Sequence, residues 1–330
     1  MKAVLIQKDE RRSLVWSDVP DPVAKADEVV IKVAYAALNR ADLMQRAGQY
    51  PPPPGCPDWM GLEVSGEIVS MGAEAAAAGR FAIGDKVCAL LGGGGYAEYV
   101  AVPHGMCMPV PKNTSMIEAA AIPEAFATAY LNLFIEGGIK EGNTLLMMAG
   151  TSGLASVIIP MAKSFGIRVI TTVLGADKVQ AISHLGADLV VDVTTQNLAE
   201  VLKSEMEAGR SVDVAIDCVG GAGMGECLRY LTHGARWIMI ATLGGDHTTI
   251  DLRNVFVRNV RIIGSTLRSR TPAMKAEILA SLVRDVWDKV ESGKLRPTIF
   301  SVLPVSEVEA AHALLENGVS VGKVVLEIGG

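Results

Sequence analysis

The 330-residue chain lacks the clustered side chains that build a disulfide framework or a metal site. Its five cysteines stand far apart at positions 56, 88, 107, 218 and 227, and no C-x-x-C pair occurs. A structural zinc site groups four ligands closely, so this spacing argues against one. The five histidines are also isolated from one another. We therefore predict no metal site, and an odd number of scattered cysteines favours reduced thiols in a cytoplasmic protein.

Basic excess and long apolar runs are missing as well. Lys and Arg total 30 against 36 Asp and Glu, which gives a net charge of −6, so nucleic acid is not expected as a primary partner. No apolar run reaches the ~20 residues that span a bilayer, and the N-terminus turns charged too early for a signal peptide. No membrane association is predicted. With 50% hydrophobic and 20% charged residues, the chain is able to bury a large core.

Two common catalytic motifs do not occur either. There is no G-x-S-x-G elbow, so a hydrolase of that type has no nucleophile signal. Gly92–Gly95 is not followed by a lysine or a helical pattern, so it is not a P-loop.

The first 110 residues are rich in short β-branched runs that glycine and proline turns separate. This spacing predicts an antiparallel, partly barrel-like β domain. The predicted strands are Ala3–Gln7, Glu28–Ala36, Glu63–Met71, Lys86–Leu91 and Tyr96–Val102. The low-complexity run Ala75–Ala78 is interpreted as a loop or a single helical turn.

From about Ile117 the pattern becomes helical, and then strands and helices alternate. This alternation predicts βαβ units and a parallel sheet. Predicted helices include Met116–Ile122, Phe126–Phe134, Lys178–Leu185, Leu198–Ala208, Met224–Leu231 and Pro272–Glu291; predicted strands include Thr144–Met148, Arg168–Val173, Leu189–Val193, Val212–Cys218, Ala235–Ile240 and Val260–Thr266. The last predicted elements, Phe300–Leu303, Ser306–Asn317 and Lys323–Ile328, are expected to return to the first domain because chain ends often lie together.

The turn after the first parallel strand offers Gly150, Gly153 and Ala155 in place of the full G-x-G-x-x-G pattern. Small residues there let the backbone approach a pyrophosphate at a helix N-terminus. A plain strand–helix turn remains the alternative.

The second strand ends without the acidic residue that an NAD site places there, and Lys178 follows it. This pattern favours the 2′-phosphate of NADP. Lys178 also suits an ordinary helix start, and Asp177 offsets its charge.

A polar cluster follows the second predicted strand of the first domain, where Asn39, Arg40, Asp42, Gln45 and Tyr50 occur. These side chains are able to hydrogen-bond a carbonyl substrate and nicotinamide. The alternative is a solvated helix that Asn39 caps. In the next strand, Glu63 lies between two glycines and is a candidate buried acid.

Several segments of the sequence resemble the medium-chain dehydrogenase/reductase superfamily. Within it they resemble the zinc-free NADPH:quinone oxidoreductase, or zeta-crystallin-like, family, and there the stress-inducible quinone oxidoreductase subgroup. The segments are A-L-N-R-A-D-L-M-Q-R at 37–46, P-P-P-G at 52–55, A-A-A-I-P-E-A at 119–125, D-C-V-G-G at 217–221, L-R-S-R at 267–270, P-V-S-E-V-E-A-A-H at 304–312 and G-K-V-V-L-E at 322–327.

The resemblance implies an α/β fold with a GroES-like catalytic domain (1–122 and 269–330) and a doubly wound Rossmann domain (123–268). It places an active-site cleft between them and implies a homodimer through the last Rossmann strand near Arg261–Thr266. Zinc-dependent relatives carry Cys at position 39 and G-H-E at 61–63. This chain has Asn39 and G-L-E there, so neither metal ligand is expected.

By the same resemblance, Asn39 faces the nicotinamide and the substrate, and Tyr50 lines the substrate pocket. The implied NADPH-binding residues are Asn39, Thr128, Gly150, Ser152, Gly153, Leu154, Gly175, Lys178, Leu243 and Lys323. Relatives often carry Tyr at position 193, Gly at 155 and Gln at 160, where this chain has Val193, Ala155 and Pro160.

The predicted function is therefore zinc-independent, NADPH-dependent reduction of a quinone by hydride transfer. Asn39 would orient the nicotinamide or the carbonyl, and Tyr50 would donate a hydrogen bond to the developing oxyanion. Two alternatives stay open. One is an NADPH-dependent reductase of alkenals or enoyl thioesters, and the other is an NADPH-binding sensor or structural protein with little turnover.

Overall fold

A computed structural model describes residues 1–318 and 321–329, and the chain divides into two compact units. Unit 1 comprises Met1–Ala127 together with the chain from Arg268 onward, and unit 2 is Thr128–Leu267. The unit boundaries thus lie at 127/128 and 267/268, against the expected 122/123 and 268/269. Residues 319, 320 and 330, which the expected GroES-like domain includes, lie outside the described residues.

The N-terminal part of unit 1 consists of short strands and three short helices, and a fourth helix begins in it. The first ladder is the antiparallel pair β1–β2. In chain order the elements are β1 (Lys2–Ile6), β2 (Leu14–Asp18), β3 (Glu28–Ala37), α1 (Arg40–Arg46), β4 (Glu63–Met71), α2 (Ala73–Ala77), β5 (Lys86–Leu90), β6 (Tyr99–Pro103), β7 (Cys107–Pro109), α3 (Met116–Ala120) and α4 (Pro123–Tyr130).

Unit 2 alternates strands and helices. Its elements are β8 (Thr144–Met147), α5 (Ala155–Ser164), β9 (Arg168–Val173), α6 (Ala176–Ala181), β10 (Leu189–Asp192), α7 (Leu198–Glu207), β11 (Val214–Asp217), α8 (Gly223–Cys227), β12 (Arg236–Met239), α9 (Leu252–Arg258) and β13 (Arg261–Gly264). The six strands form one parallel sheet in the order β10-β9-β8-β11-β12-β13.

The central strands of this sheet are buried along almost their whole length, as expected where helices cover both faces. All four residues of β8 are buried, and so are those of β11. Trp237 of β12 is fully buried in a cluster with Leu146 and Leu228. The strand order reverses between β8 and β11, which is where doubly wound sheets bind ligands at the carboxyl ends of their strands.

The chain then returns to unit 1 with α10 (Pro272–Glu291), β14 (Ile299–Pro304), α11 (Val308–Glu316) and β15 (Lys323–Glu327). Thr271 caps α10 by accepting a bond from the Met274 N–H at 3.2 Å, with Pro272 at the first helical position. β15 pairs antiparallel with the end of β3, opposite Tyr35–Ala37. The C-terminal segment therefore adds strands to the first domain's sheet.

The sheet of unit 1 runs β14-β15-β3-β4-β5-β7, and β6 pairs with the start of β3. Its ladders are antiparallel except β14–β15, which is parallel. The ladders formed by the first 110 residues are all antiparallel, which confirms the prediction for that part of the chain. The parallel pair belongs to the C-terminal segment, where α11 connects the two strands as a crossover, and a crossover joins parallel neighbours.

Several predicted helices are shorter or less regular than their patterns suggest. The helix expected over Phe126–Phe134 begins at Pro123, and beyond Tyr130 it continues as a wider π-helical turn to Glu136. The helices expected to end at Leu185 and Leu231 both finish in 3₁₀ turns. α5 continues across Pro160. The strands β2 and β7 and the helix α9 were not predicted.

No helix in the described part of the chain is long and apolar enough to cross a bilayer.

Candidate active site

Asn39 lies where β3 ends and α1 begins, and it is the N-cap residue of α1. Its backbone N–H donates to the Asp42 carboxylate at 2.8 Å. Its side chain points elsewhere, because Nδ2 donates to Glu63 Oε1 at 3.0 Å. The alternative of a solvated helix is wrong in one respect, since Asp42 and Gln45 of α1 are buried.

Lys323 provides a buried positive charge beside Asn39. Its Nζ lies 2.7 Å from each of three oxygens, namely Asn39 Oδ1, the Leu38 carbonyl and Glu63 Oε1. An ammonium group has three hydrogens, so these acceptors satisfy it completely. The resemblance implies that Lys323 is a cofactor-binding residue. The structure places it in unit 1 with its ammonium group fully engaged by protein atoms.

Glu63 is the buried acid that its position between two glycines predicted, with no exposed surface. Its Oε1 accepts from Asn39 and Lys323, and its Oε2 accepts from the Glu124 backbone N–H at 2.8 Å. Buried charges are stable only when they are paired and hydrogen-bonded. We call Asn39, Asp42, Glu63 and Lys323 the Asn39 network.

Asp42 anchors the other side of this network. Its carboxylate accepts from the Tyr96 hydroxyl at 3.0 Å and the Gly61 N–H at 3.2 Å, in addition to Asn39. Complete burial raises its pKa to about 6, and the three hydrogen bonds oppose that shift. Burial and the Asp42 charge in turn raise the pKa of Tyr96 well above 10.

Glu124 is the second residue of α4, and its carboxyl group has an unusual acidity. Burial, followed by the charge of Glu63, raises its pKa to about 7, and Lys323 and Lys275 oppose the rise. Burial also lowers the pKa of Lys275. The Glu124 charge raises that pKa, and the Arg268 charge lowers it. An acid and a base with convergent pKa values are typical of a functional site.

Tyr50 lies under Arg268. The guanidinium carbon is 3.9 Å from the centre of the Tyr50 ring, and Arg268 Nη2 donates to the Pro51 carbonyl. Burial raises the pKa of Tyr50; the Arg268 charge lowers it and the Glu124 charge raises it. The phenol is therefore a neutral hydrogen-bond donor at physiological pH.

In unit 2, the turn between β8 and α5 is tightly constrained. A Cβ on Gly150 would lie 2.6 Å from Thr171 Oγ1, so only glycine fits there. Ala149 has a φ of 56°, a left-handed conformation that is strained for an L-residue. Ser152 Oγ accepts from the Ala155 N–H at 3.1 Å.

This turn presents backbone donors at the start of α5. In the described ranges, no protein atom accepts a hydrogen bond from the N–H of Gly153 or Leu154. Such N–H groups at a helix N-terminus suit a pyrophosphate. Although the turn lacks the full G-x-G-x-x-G pattern, the backbone N–H groups of Gly153 and Leu154 remain free, among the described residues, to donate to a ligand.

Asp192 of β10 accepts a hydrogen bond from the turn that follows β9. Its carboxylate accepts from the Gly175 N–H at 2.9 Å and from the Thr194 hydroxyl at 2.7 Å, and these bonds lower its pKa. Gly175 has a φ of 108°, which requires glycine. Lys178 Nζ lies 3.3 Å from Asp177 Oδ2, so the predicted offset of its charge is present in the structure.

Thr128 and Leu243, which the resemblance implies as NADPH-binding residues, lie in other parts of the chain. Thr128 lies one helical turn after Glu124 in α4, and its carbonyl accepts from Asn132 Nδ2 at 2.8 Å. Leu243 is 62% exposed, and its N–H donates to the Cys218 carbonyl at 3.2 Å. Val193, where relatives often carry Tyr, is also exposed.

Sequence reasoning placed Asp42 only within the polar cluster and assigned no role to Glu124 or Arg268, although all three occur in the segments that carry the resemblance. It also missed Tyr96 and Lys275. Asp42 alone gave a local signal, because an acid three residues after an N-cap completes a capping arrangement. The acidity of Glu124 depends on neighbours from other elements, so no spacing pattern indicates it.

Two family models match this chain. The alcohol dehydrogenase GroES-like domain matches residues 25–112, and a zinc-binding dehydrogenase model matches residues 185–326. The 2-methylene-furan-3-one reductase of Solanum lycopersicum is 32% identical over 94% of this chain and 74% of its own length. The chain belongs to the medium-chain dehydrogenase/reductase superfamily. Its expected fold class, a GroES-like domain plus a Rossmann-like parallel sheet domain, is thereby confirmed.

Solved structures agree with this assignment. The NAD-dependent alcohol dehydrogenase has a TM-score of 0.83 at 30% identity, with all of both chains covered. The quinone oxidoreductase of Thermus thermophilus, which was also solved as a complex with NADPH, has a TM-score of 0.80 at 29% identity over 99% of this chain and 100% of its own. Within the superfamily, the chain fits the quinone oxidoreductase-like family.

Zinc, which the second family model's name mentions, does not fit the side chains of unit 1. Position 39 offers an amide, and the Lys323 ammonium already occupies Glu63 Oε1. Among the residues that the structure describes, no group of three or more His, Cys, Asp or Glu side chains is arranged to hold a metal ion. The Asn39 network supplies a fixed ammonium charge in place of a metal ligand set.

Proposed function

We propose that this protein reduces a quinone by hydride transfer from NADPH without zinc. The Asn39 network is the observation that carries the proposal. It fixes an amide and an ammonium group at the position where zinc-dependent relatives have a ligand. A quinone is already electrophilic, so its reduction needs correct positioning more than a Lewis acid. Positioning alone can lower a barrier by about 7–11 kcal/mol in good cases.

NADPH is the cofactor, and it supplies the hydride when bound. The quinone oxidoreductase of Thermus thermophilus forms a complex with NADPH, which supports this assignment. In this chain the N–H groups of Gly153 and Leu154 would bind the pyrophosphate, and Lys178 would bind the 2′-phosphate.

The side chains of unit 1 would act on the acceptor. Asn39 would orient the carbonyl or the carboxamide of the nicotinamide, because its own amide is held by Glu63 and Lys323. Tyr50 would donate a hydrogen bond to the oxygen on which negative charge develops. The Arg268 charge over its ring lowers the pKa of Tyr50 and so strengthens that donation.

A conjugated enone or alkenal is the second candidate acceptor. The relative in Solanum lycopersicum is named for a substrate whose methylene group is conjugated with a ketone. The same donors would serve this reaction, since hydride addition to the alkene also leaves charge on the carbonyl oxygen. An NADPH-binding protein with little turnover is the remaining alternative.

The test is NADPH oxidation with and without a small ortho-quinone, repeated with a conjugated enone and with NADH. We expect acceptor-dependent oxidation that is fastest with the quinone and with NADPH. Tyr50→Phe is expected to lower kcat by roughly 10-fold without changing NADPH affinity, because it removes one donor to the oxyanion. Tyr35→Phe is the matched control, since the Tyr35 hydroxyl bonds to Glu327 at an exposed position.

Each outcome selects one function. Faster reduction of the enone would make the chain an enone reductase. Equal use of NADH would remove the preference that Lys178 predicts. No oxidation by a preparation that binds NADPH would leave the sensor interpretation. An unchanged kcat in Tyr50→Phe would remove Tyr50 from the mechanism.

A homodimer is also part of the proposal. β13 is an edge strand that pairs only with β12 in the described part of the sheet. Ile262 in β13 and Phe256 and Val257 in the neighbouring helix α9 are exposed. An open strand edge beside exposed apolar side chains favours pairing with a second copy of the chain.

A further inference from the structure

We propose that Glu124 supplies the proton that the acceptor takes up after hydride transfer. The inference rests on the proposed function, because hydride addition to a quinone leaves an oxygen anion that must be protonated. The resemblance and the comparisons give Glu124 no role.

Glu124 is attached directly to the Asn39 network. Its backbone N–H donates to Glu63 Oε2 at 2.8 Å, and the other oxygen of Glu63 accepts from Asn39. Pro123 begins α4, so Glu124 lies in the first helical turn, where its backbone position is fixed. The residue therefore lies two hydrogen bonds away from the amide that is expected to orient the reacting groups.

The other acids of the network are poor proton donors. Glu63 accepts three hydrogen bonds or ion-pair contacts, and Asp42 accepts three hydrogen bonds, so both are held as acceptors. Burial raises the pKa of Tyr50, so its phenol also holds its proton tightly. No side chain in residues 1–318 or 321–329 is hydrogen-bonded to the Glu124 carboxyl, and the residue as a whole keeps part of its surface exposed. Its proton is thus available for transfer.

Charged groups from several elements face Glu124. Burial is the largest influence on its pKa and raises it, and Glu63 of β4 and Asp42 of α1 act in the same direction. Lys323 of β15 and Lys275 of α10 lower it. The charge of Glu124 also raises the pKa of Tyr50. With a pKa of about 7, the carboxyl group holds its proton for about half the time at neutral pH, which suits a general acid.

The step balances without another reactant. The quinone gains a hydride and is reduced, and NADPH is oxidised to NADP⁺. The O–H bond of the Glu124 carboxyl group then breaks, and a new O–H bond forms on the acceptor oxygen. The Glu124 carboxylate afterwards takes a proton from water.

The first experiment measures kcat of quinone reduction from about pH 5.5 to 9 for the wild type and Glu124→Gln. Wild-type turnover should fall as the pH rises through about 7, because the donor is lost as it ionises. The Gln variant should be at least about 10-fold slower at about pH 6 and should show no fall near neutral pH. The two enzymes should become similar above about pH 8. Glu124→Asp, which keeps an acid, should retain an inflection.

A second variant tests the assignment without altering Glu124. Lys275 lowers the pKa of Glu124, so Lys275→Met should move the inflection to higher pH while Glu124 remains present. Lys294→Met is the matched control, because Lys294 is exposed just beyond the end of α10. It should leave the inflection unchanged. A merely structural role of Glu124 predicts no shift in either variant.

The outcomes separate this inference from the proposed function. If the wild type reduces the quinone and Glu124→Gln keeps the same inflection, the role of Glu124 is overturned while the reductase function stands. If Glu124→Gln does not fold, an unmoved inflection in Lys275→Met overturns it. If the wild type reduces no acceptor, the proposed function fails and the role of Glu124 fails with it.

Discussion

At the scale of single residues, two lysines that the resemblance implies as cofactor ligands have different surroundings. Lys323 is buried, and three protein oxygens satisfy its ammonium group. Lys178 is partly exposed, and Asp177 is its ion-pair partner in the described part of the chain. Lys178 is therefore the one with a charge that a 2′-phosphate can use.

Asp177→Asn should increase the affinity for NADPH by about two- to five-fold. The Asp177 carboxylate competes with a phosphate for Lys178 and repels it, and an exposed pair of this kind is worth about 1 kcal/mol or less. Fluorescence titration with NADPH and NADH measures the effect. NADH lacks the phosphate and serves as the control. An equal change for both nucleotides would contradict the placement of the 2′-phosphate beside Lys178.

At the scale of elements, the hydrogen-bond directions along β13 bear on the proposed dimer interface. The N–H groups of Arg261 and Ser265 donate to the carbonyls of Ala235 and Met239. Because N–H directions alternate along a strand, the N–H of Ile262 points away from β12. The open edge can thus be changed without disturbing the ladder inside unit 2.

Ile262→Pro should prevent the proposed dimer from forming. Proline removes the outward N–H of Ile262 and leaves the bonds of the odd-numbered residues to β12 in place. Ile262→Thr, which keeps the N–H and a β-branched side chain, should remain dimeric. Sedimentation velocity of both variants and the wild type gives the result. A dimeric proline variant would place the interface elsewhere.

At the scale of the whole molecule, His312 links the fold's stability to pH. It has no exposed surface, and in the described residues neither ring nitrogen has a hydrogen-bond partner. Burial, followed by the charge of Arg46, lowers its pKa to about 4. The folded pKa is below the usual 6.5, so the unfolded chain binds more protons between about pH 4 and 6.5.

The free energy of unfolding is therefore expected to decrease as the pH drops from about 6.5 to about 4. His312→Leu has no group that titrates there, so it should remove up to about 3 kcal/mol of this decrease. Asp42 and Glu124 have raised pKa values and oppose the trend in both proteins, so the difference between variant and wild type isolates His312. Urea denaturation at about pH 4.5 and about pH 7.5 measures it, with the exposed His184→Leu as control. A difference that does not change with pH would contradict this assignment.

Much of the site was predictable where the signal is local. Gly150 and Gly175 occur at turns after strands, and in the structure Gly150 has no room for a side chain while Gly175 has a positive φ. Glu63 was predicted as a buried acid from its place between two glycines in a strand. The role of Lys323 was not predictable in this way, since its partners Leu38 and Asn39 lie 285 and 284 residues earlier in the chain.

The sequence by itself determined the alternation of strands and helices in unit 2 and the glycine turn at β8. These features depend on periodicity and residue type, which are local properties. The replacement of a zinc ligand by Asn39 was implied by the resemblance to the family. Only the tertiary structure decided which charges meet. Pairing of β15 with β3 in a single register, with Val325 opposite Ala37, brings Lys323 to Asn39. The burial that follows from this packing gives Glu124 its pKa, because desolvation depends on every element around a group.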